Sequence, residues 1–361
     1  MTGALRPASL VEHVATAGVI VCCGSGGVGK TTVSAALGME AARLGRRAVV
    51  VTIDPAKRLA DALGVAGGLT NDPVQLDVEA RGELWALMLD SATTFDGLVR
   101  SHAETPEQAE RILANRFYRN VAGSLSGTQE YMAAERLHAL HADERFDLVI
   151  VDTPPTRNAL DFLDAPSTLA RFIDHPLFKL LMVPTRRGLK VLNVAAQPVL
   201  RTIGRVVGGD VLADAVAFFQ AFSGMETGFR DRADEVIELL ASDATRFVLV
   251  ASPRLDTIEE ARFFAGRLRA VHLSVGAVIV NRCTPAFGAG PARRPRSADL
   301  RLLDDNLREL QATAMAERQH ASRLLADDAL DSGVHTTFVP TQPADVHDLG
   351  GLDTIRALLF P

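Results

Sequence analysis

The sequence predicts an α/β fold: a doubly wound, mostly parallel P-loop sheet with helices on both faces and an inserted helical subdomain. Three observations carry this expectation. Short apolar, β-branched runs recur along the chain, each followed by turn residues and a helical pattern. A glycine-rich loop of the phosphate-cradling type follows the first run. Two long helical stretches then interrupt the rhythm of strands.

The runs come in order at 18–23 (GVIVCC), 47–53 (RAVVVTI), 84–89 (LWALML), 147–151 (DLVIV), 246–250 (RFVLV), 277–280 (AVIV) and 336–339 (TTFV). Each is apolar nearly throughout rather than alternating, as strands buried on both faces of a parallel sheet are. Helical segments between them make repeated βαβ units with right-handed crossovers. The stretches 90–147 and 153–246 hold no such run and read as helical. They predict a discontinuous core over 12–100, 143–165 and 243–361, with helical insertions at 101–142 and 166–242. At 361 residues, and roughly 150 per domain, the length also allowed two tandem domains. The resumption of strand-like runs after residue 243 favours the insertion. Residues 285–297 (PAFGAGPARRPRS) have no periodicity and read as a mobile loop. Its arginines, Arg293, Arg294 and Arg296, are available to phosphate or a membrane surface, or are simply solvated.

Composition excludes several classes. Lys and Arg total 38 against 44 Asp and Glu, a net charge of −6, and no nucleic-acid partner is expected. Aromatics are 5% of the chain, with Trp85 the only tryptophan, so base-stacking platforms are disfavoured. Three cysteines, Cys22, Cys23 and Cys283, two of them sequence neighbours, rule out a disulfide framework and disfavour a zinc module. Neither a secretory leader nor a membrane-spanning run is visible. The expectation is a cytoplasmic protein, with peripheral attachment at the inner membrane face left open.

The chemistry starts at Gly24, Ser25, Gly26, Gly27, Val28, Gly29, Lys30 and Thr31, which fit G-x-x-x-x-G-K-[ST]. Glycines let consecutive backbone N–H groups curl inward onto phosphate oxygens. Lys30 brings a mobile positive charge, the hydroxyl of Thr31 is placed for Mg²⁺, and the helix opening through Thr32 aims its N-terminus at the same anion. Asp54 ends the second run and Asp152 the fourth, at the carboxyl ends of parallel strands where ligands of open α/β sheets bind. Asp152 is the candidate for holding Mg²⁺. Asp54 is the candidate for orienting and deprotonating a water, and for a place near the metal. The competing reading of either aspartate is a helix N-cap. After AVIV comes Asn281, an amide suited to a base edge. No acid follows at the spacing of a guanine-reading N-K-x-D, which favours adenine and so ATP. Pro340 and Thr341, past the last run, are placed to line the base.

Together GGVGKTT, the Asp54-Pro55-Ala56 element and the Asp152-Thr153-Pro154-Pro155-Thr156 element resemble the deviant-Walker-A ATPases. Within them the chain resembles the arsenite-pump and tail-anchored-protein-targeting ATPase family, in particular its actinobacterial-type anion-transporting members. The likeness runs over nearly the whole chain, through RFVLVASPRLDTIEEARFF, VIVNR and FVPTQPADV. The resemblance implies a dimer closing around two Mg·ATP, with Asp54 as the water-activating residue, Asp152 as the second-switch aspartate and Asn281 as the adenine reader. Three departures follow. The family loop carries a lysine that reaches the partner's nucleotide; here Ser25 stands in its place. Losing that charge removes transition-state stabilisation, which predicts weak turnover as a homodimer and a paralogue partner that supplies the lysine. A C-x-x-C zinc clamp is lacking. Cys22 and Cys23 fall inside a strand, which argues against a thiolate metalloid site.

Three readings of the whole follow: an ATP-driven dimeric switch acting on an unknown client or membrane partner, a regulatory subunit with low ATPase, and a targeting factor for an apolar client. The helix at 211–222 (VLADAVAFFQAF) carries Val211, Leu212, Ala215, Val216, Phe218, Phe219 and Phe222. They would line an apolar groove or fill the helical subdomain's own core. His138 and His141 share a helix face at i, i+3 without a third ligand at metal-site spacing. A partitioning ATPase would need a C-terminal amphipathic membrane helix, and the tail at 349–361 is short and glycine-interrupted.

Overall fold

Eight strands form one sheet, in the order β3-β4-β2-β5-β1-β6-β7-β8. They are β1 (Val19–Cys23), β2 (Arg47–Thr52), β3 (Val74–Leu76), β4 (Glu83–Met88), β5 (Leu148–Asp152), β6 (Thr245–Ala251), β7 (Val275–Cys283) and β8 (His335–Pro340). All pairings are parallel except β3 with β4. This is a computed structural model, and it describes residues 8–54, 58–122, 128–154, 209–222, 224–288, 297–331 and 333–361. All seven apolar runs are strands. β1 and β5 are buried at every position, as a central parallel strand between two helical layers must be. The exception to the sequence reading is β3, a three-residue, half-exposed antiparallel edge.

The helices are α1 (Leu10–Thr16), α2 (Lys30–Arg43), α3 (Arg58–Leu63), α4 (Ser91–His102), α5 (Pro106–Ala114), α6 (Arg116–Ala122), α7 (Thr128–His141), α8 (Gly209–Phe222), α9 (Glu226–Ala241), α10 (Leu255–Ala270), α11 (Ala298–Leu325) and α12 (Leu349–Leu359). Backbone contacts divide the chain into two units. One comprises Met1–Met88, Leu140–Leu160 and Ala241–Pro361; the other comprises Leu89–Ala139 and Asp161–Leu240.

In the sheet unit, α2 lies close on the strands because it presents small residues. Ala35, Ala36, Ala41 and Ala42 are buried there, and a Cβ at Gly38 would come within 2.8 Å of both Leu84 and Val50 side chains. The far side of α2 is pinned by Glu40. This fully buried carboxylate takes Arg43 of its own helix at 2.6 Å and Arg356 of α12 at 3.1 Å. A buried charge is tolerable only when paired in this way. The result fixes the start of α2, at Lys30, directly beyond the end of β1.

In the helical unit, Phe218, Phe219 and Phe222 of α8 pack in a core with Tyr118, Ile112 and Phe229. The Phe222 and Phe229 rings are 4.9 Å apart. The apolar stripe of α8 is therefore used within its own unit at its phenylalanines, while Val211 is exposed. Among the described residues, no helix is long and apolar enough to cross a membrane.

Candidate functional site

β1 stands between β5 and β6, where the direction of the crossovers reverses. A crevice opens at such a point, at the carboxyl ends of the strands. Here it is a cavity of about 650 Å³ walled by Gly26, Gly27, Gly29, Lys30, Thr31, Thr32, Asp54 and Thr153, and further by Arg58, Asp61, Ala62, Arg282, Asp345, Val346 and His347.

The loop from Gly24 to Gly29 takes its shape from glycine. At Gly24 φ is +153°, and a Cβ would sit 2.0 Å from the Val250 carbonyl. At Gly29 φ is +94°, and a Cβ would sit 2.3 Å from Nδ2 of Asn281. Gly29 is the N-cap of α2 and offers no side-chain cap. The first N–H groups of the helix are thus left for an anion. Val28 is buried, and its carbonyl accepts a hydrogen bond from Asn281 Nδ2 at 2.8 Å.

Lys30 is buried and folds back over the loop, with Nζ donating to the carbonyls of Gly24 and Ser25 at 2.9 Å each. Burial pulls its pKa down, against the opposing pull of the Asp152 carboxylate. Ser25 is buried too, and its hydroxyl has no hydrogen-bond partner.

Asp152 ends β5 with 1% of its surface exposed. Its Oδ2 accepts from Thr31 Oγ1 at 2.7 Å and from Thr52 Oγ1 at 2.9 Å. Its Oδ1 is buried with no partner. Burial pushes the carboxyl up to about 6, although the two hydroxyls and Lys30 pull the other way. An orphaned carboxylate oxygen beside a threonine hydroxyl is a hard-oxygen donor set, which fits Mg²⁺ and its water shell. Thr153 Oγ1 donates to the Cys22 carbonyl at 2.7 Å, tying the end of β5 to β1. Asp54 lies in the cavity wall, with its carboxylate 3.4 Å from an Arg58 guanidinium nitrogen and its backbone N–H on Thr52 Oγ1 at 3.2 Å.

The structure thus brings Lys30, Thr31, Thr32 and Asp54 into one cavity wall, with Asp152 hydrogen-bonded to Thr31 behind it. The residues singled out for the base are not among those that line the cavity. Asn281 backs the loop. The Pro340 carbonyl accepts from Gln342, and the Thr341 N–H donates to the Cys283 carbonyl. Arg282, Asp345, Val346 and His347 line the cavity there, and sequence reasoning missed them. The available signal was the place of Arg282 near the carboxyl end of β7 and of the other three in the segment that follows β8.

Other candidates fall away from chemistry. Cys22 and Cys23 are fully buried and free. Burial pushes both thiols up, that of Cys23 to about 12, and that of half-buried Cys283 to about 11. His138 meets Arg232 at 2.8 Å and Glu235 at 3.6 Å, while the His141 ring lies over Gly18. Among the described residues, no group of three His, Cys, Asp or Glu could hold a metal. Residues 289–296, with all three arginines of the proposed loop, lie outside the described residues, as do Pro55, Ala56, Pro155 and Thr156.

A family model for anion-transporting ATPases matches residues 17–292. The chain belongs to this family. It is 27% identical over 272 residues to a protein of Aquifex aeolicus (strain VF5) named arsenical pump-driving ATPase 1, covering 74% of this chain and 63% of that one. It is 26% identical over 343 residues to the ATPase Get3 of Schizosaccharomyces pombe (strain 972 / ATCC 24843), covering 93% and 89%. Against the ATPase Get3 of Malassezia globosa (strain ATCC MYA-4612 / CBS 7966) identity is 31% over 152 residues, 42% of this chain and 43% of that one. The chain therefore spans less than two thirds of the Aquifex and Malassezia relatives.

Proposed function

We propose that this anion-transporting ATPase family member binds Mg·ATP in the cavity beyond β1 and hydrolyses it. One observation carries the reading. A lysine-bearing glycine loop and Asp54 line one cavity, and directly behind Thr31 in its wall lies Asp152, a buried aspartate with an orphaned oxygen. In this reading the N–H groups from Gly26 to Thr32 hold the phosphates, and Lys30 swings from the Gly24 and Ser25 carbonyls onto the β- and γ-phosphates. Thr31 and Asp152 hold Mg²⁺, which when bound neutralises phosphate charge. Asp54 orients a water in line with the γ-phosphate and accepts its proton as the new P–O bond forms and ADP leaves. Arg58 forms an ion pair with Asp54 at 3.4 Å and holds the carboxylate in the cavity wall. Asn281 acts from behind the loop by fixing Val28 and Gly29, and Pro340 and Thr341 act from outside the cavity, the Thr341 N–H holding the Cys283 carbonyl beside Arg282.

The resemblance to dimeric relatives supports a homo- or heterodimer that closes around ATP and passes turnover to a client or membrane partner. A second reading, a regulatory subunit with little turnover of its own, has one observation in its favour. At the place of the family's lysine stands Ser25, whose hydroxyl is buried and carries no charge across a dimer. A paralogue that supplies the lysine would restore the rate. The apolar-client reading is less supported, because the phenylalanines of α8 fill their own core.

The test is the steady-state ATPase rate of wild type, Lys30→Ala and Asp54→Asn, alone and mixed with co-purifying protein. Lys30→Ala is expected to lose nucleotide binding. Asp54→Asn is expected to keep binding and lose hydrolysis. Equal rates for wild type and Asp54→Asn would remove Asp54 from the proposed role. Full turnover of the isolated chain would remove the need for a paralogue.

A further inference from the structure

We propose that Arg282 is the nucleoside-contacting residue of this site, its guanidinium lying flat against the base, and that Glu317 is the positioning residue that holds it there. The proposal rests on the nucleotide reading above and names how the base end is held.

The backbone at this point is built for aiming. The pairing of β7 with β8 runs in register from Ala277 to Val280, then slips, and resumes only at Cys283 opposite Pro340. Asn281 and Arg282 fall in the bulge. Such a bulge re-aims side chains and is common beside active sites. Arg282 also sits at φ +61°, a left-handed conformation that is uncommon for a long side chain and persists only where the surroundings impose it. The consequence is that two adjacent residues serve opposite sides of the loop. Asn281 points at Val28 and Gly29, and Arg282 lines the cavity.

What imposes the turn is visible on both flanks. On one side the Thr341 N–H donates to the Cys283 carbonyl at 2.8 Å. On the other, Glu317 of α11 takes both donors of Thr284, the backbone N–H at 2.7 Å and the hydroxyl at 2.9 Å. The carboxylate thus anchors the residue two places beyond Arg282, and α11 becomes part of the frame of the pocket.

Topology says which end of the nucleotide Arg282 meets. The groups proposed for phosphate, metal and water follow β1, β5 and β2, on one side of the loop. Arg282 lies at the carboxyl end of β7, two strands from β1 on the other side, about 10 Å at ~4.8 Å per strand. Asp345, Val346 and His347 follow β8 and complete the same wall. A guanidinium at that distance from the phosphate turn meets the nucleoside. A planar delocalised cation stacks on a base face without reading its edge.

The experiment compares ADP with inorganic tripolyphosphate, which has phosphates and no nucleoside, by calorimetric titration of the full chain. Arg282→Gly is the first variant, because glycine accepts the left-handed backbone and keeps the turn. It is expected to weaken ADP about tenfold and leave tripolyphosphate unchanged. Arg282→Lys, charged but not planar, should recover little. Glu317→Ala should weaken ADP by a smaller factor with the same indifference to tripolyphosphate, with Glu317→Gln intermediate because it keeps one acceptor. The double variant Arg282→Gly/Glu317→Ala should lose no more than Arg282→Gly, since Glu317 acts through Arg282. Unchanged ADP affinity in Arg282→Gly, or an equal loss for both ligands, overturns the proposal. An additive double variant overturns the role of Glu317. A wild type that binds neither ligand overturns the nucleotide reading and this inference with it, whereas a wild type that binds tripolyphosphate keeps the former while the variants judge the latter.

Discussion

Asp152 makes a prediction whose size follows from its surroundings. Its carboxyl is raised from an ordinary 3.8 to about 6, chiefly by burial. At ~1.4 kcal/mol per tenfold, that gap corresponds to about 3 kcal/mol between the two protonation states. The sign follows from proton counting. Below about pH 4 the group is neutral in both the folded and the unfolded chain, and it adds no cost. Between about pH 4 and pH 6 the unfolded chain has released the proton and the folded chain still holds it, so stability falls as pH rises. Above about pH 6 the full ~3 kcal/mol acts against the metal-free fold. Asp152→Asn removes the titration and keeps an oxygen for Thr31 or Thr52. The variant should therefore be more stable than wild type at pH 7.5 by up to about 3 kcal/mol, with the gap closing towards pH 4. Urea unfolding of both proteins in a chelating buffer, across pH 4 to 8, measures this directly, with an unchanged slope showing that the unfolded state is the same. Adding Mg·ADP should reverse the order, because only wild type regains energy from cation binding. A gap that is independent of pH, or one that widens as pH falls, would refute the assignment of a buried, underpaired carboxyl.

Two further perturbations test the loop and the strand beneath it. Gly29→Ala places a Cβ 2.3 Å from Asn281 Nδ2 in a backbone at φ +94°; about 1–3 kcal/mol of stability and more than tenfold in nucleotide affinity should be lost, read by thermal unfolding and titration. The raised thiols of Cys22 and Cys23 predict no alkylation by iodoacetamide in the native protein at neutral pH, slow reaction at Cys283, and three modified thiols after denaturation. Rapid labelling of Cys22 or Cys23 in the native state, followed by mass spectrometry, would contradict their burial in β1.

The strands buried on both faces were legible because each had to be apolar at every position, and such runs are hard to mistake when a helical pattern follows. β3 was not, because three half-exposed residues carry no pattern of their own and are a strand only by virtue of pairing with β4. The same distinction separates the two ends of the candidate site. The conformation of the phosphate loop is dictated locally. Gly24 and Gly29 occupy backbone angles that other residues resist, and Lys30 and Thr31 are fixed by the start of α2. Asp152 closes a strand whose direction was plain, so its meeting with Thr31 follows from the topology. The far wall has no such local code. Whether Asn281 or Arg282 faces the cavity is decided by a one-place slip between β7 and β8, and in a strand one residue of slip exchanges the two faces. The slip is held from outside the motif, by Glu317 on α11 and Thr341 beyond β8, residues distant in sequence and ordinary in type. A reading of VIVNR by itself therefore selects the amide, the residue whose chemistry best suits a base edge. The fold gives that amide to the loop and turns its neighbour towards the pocket.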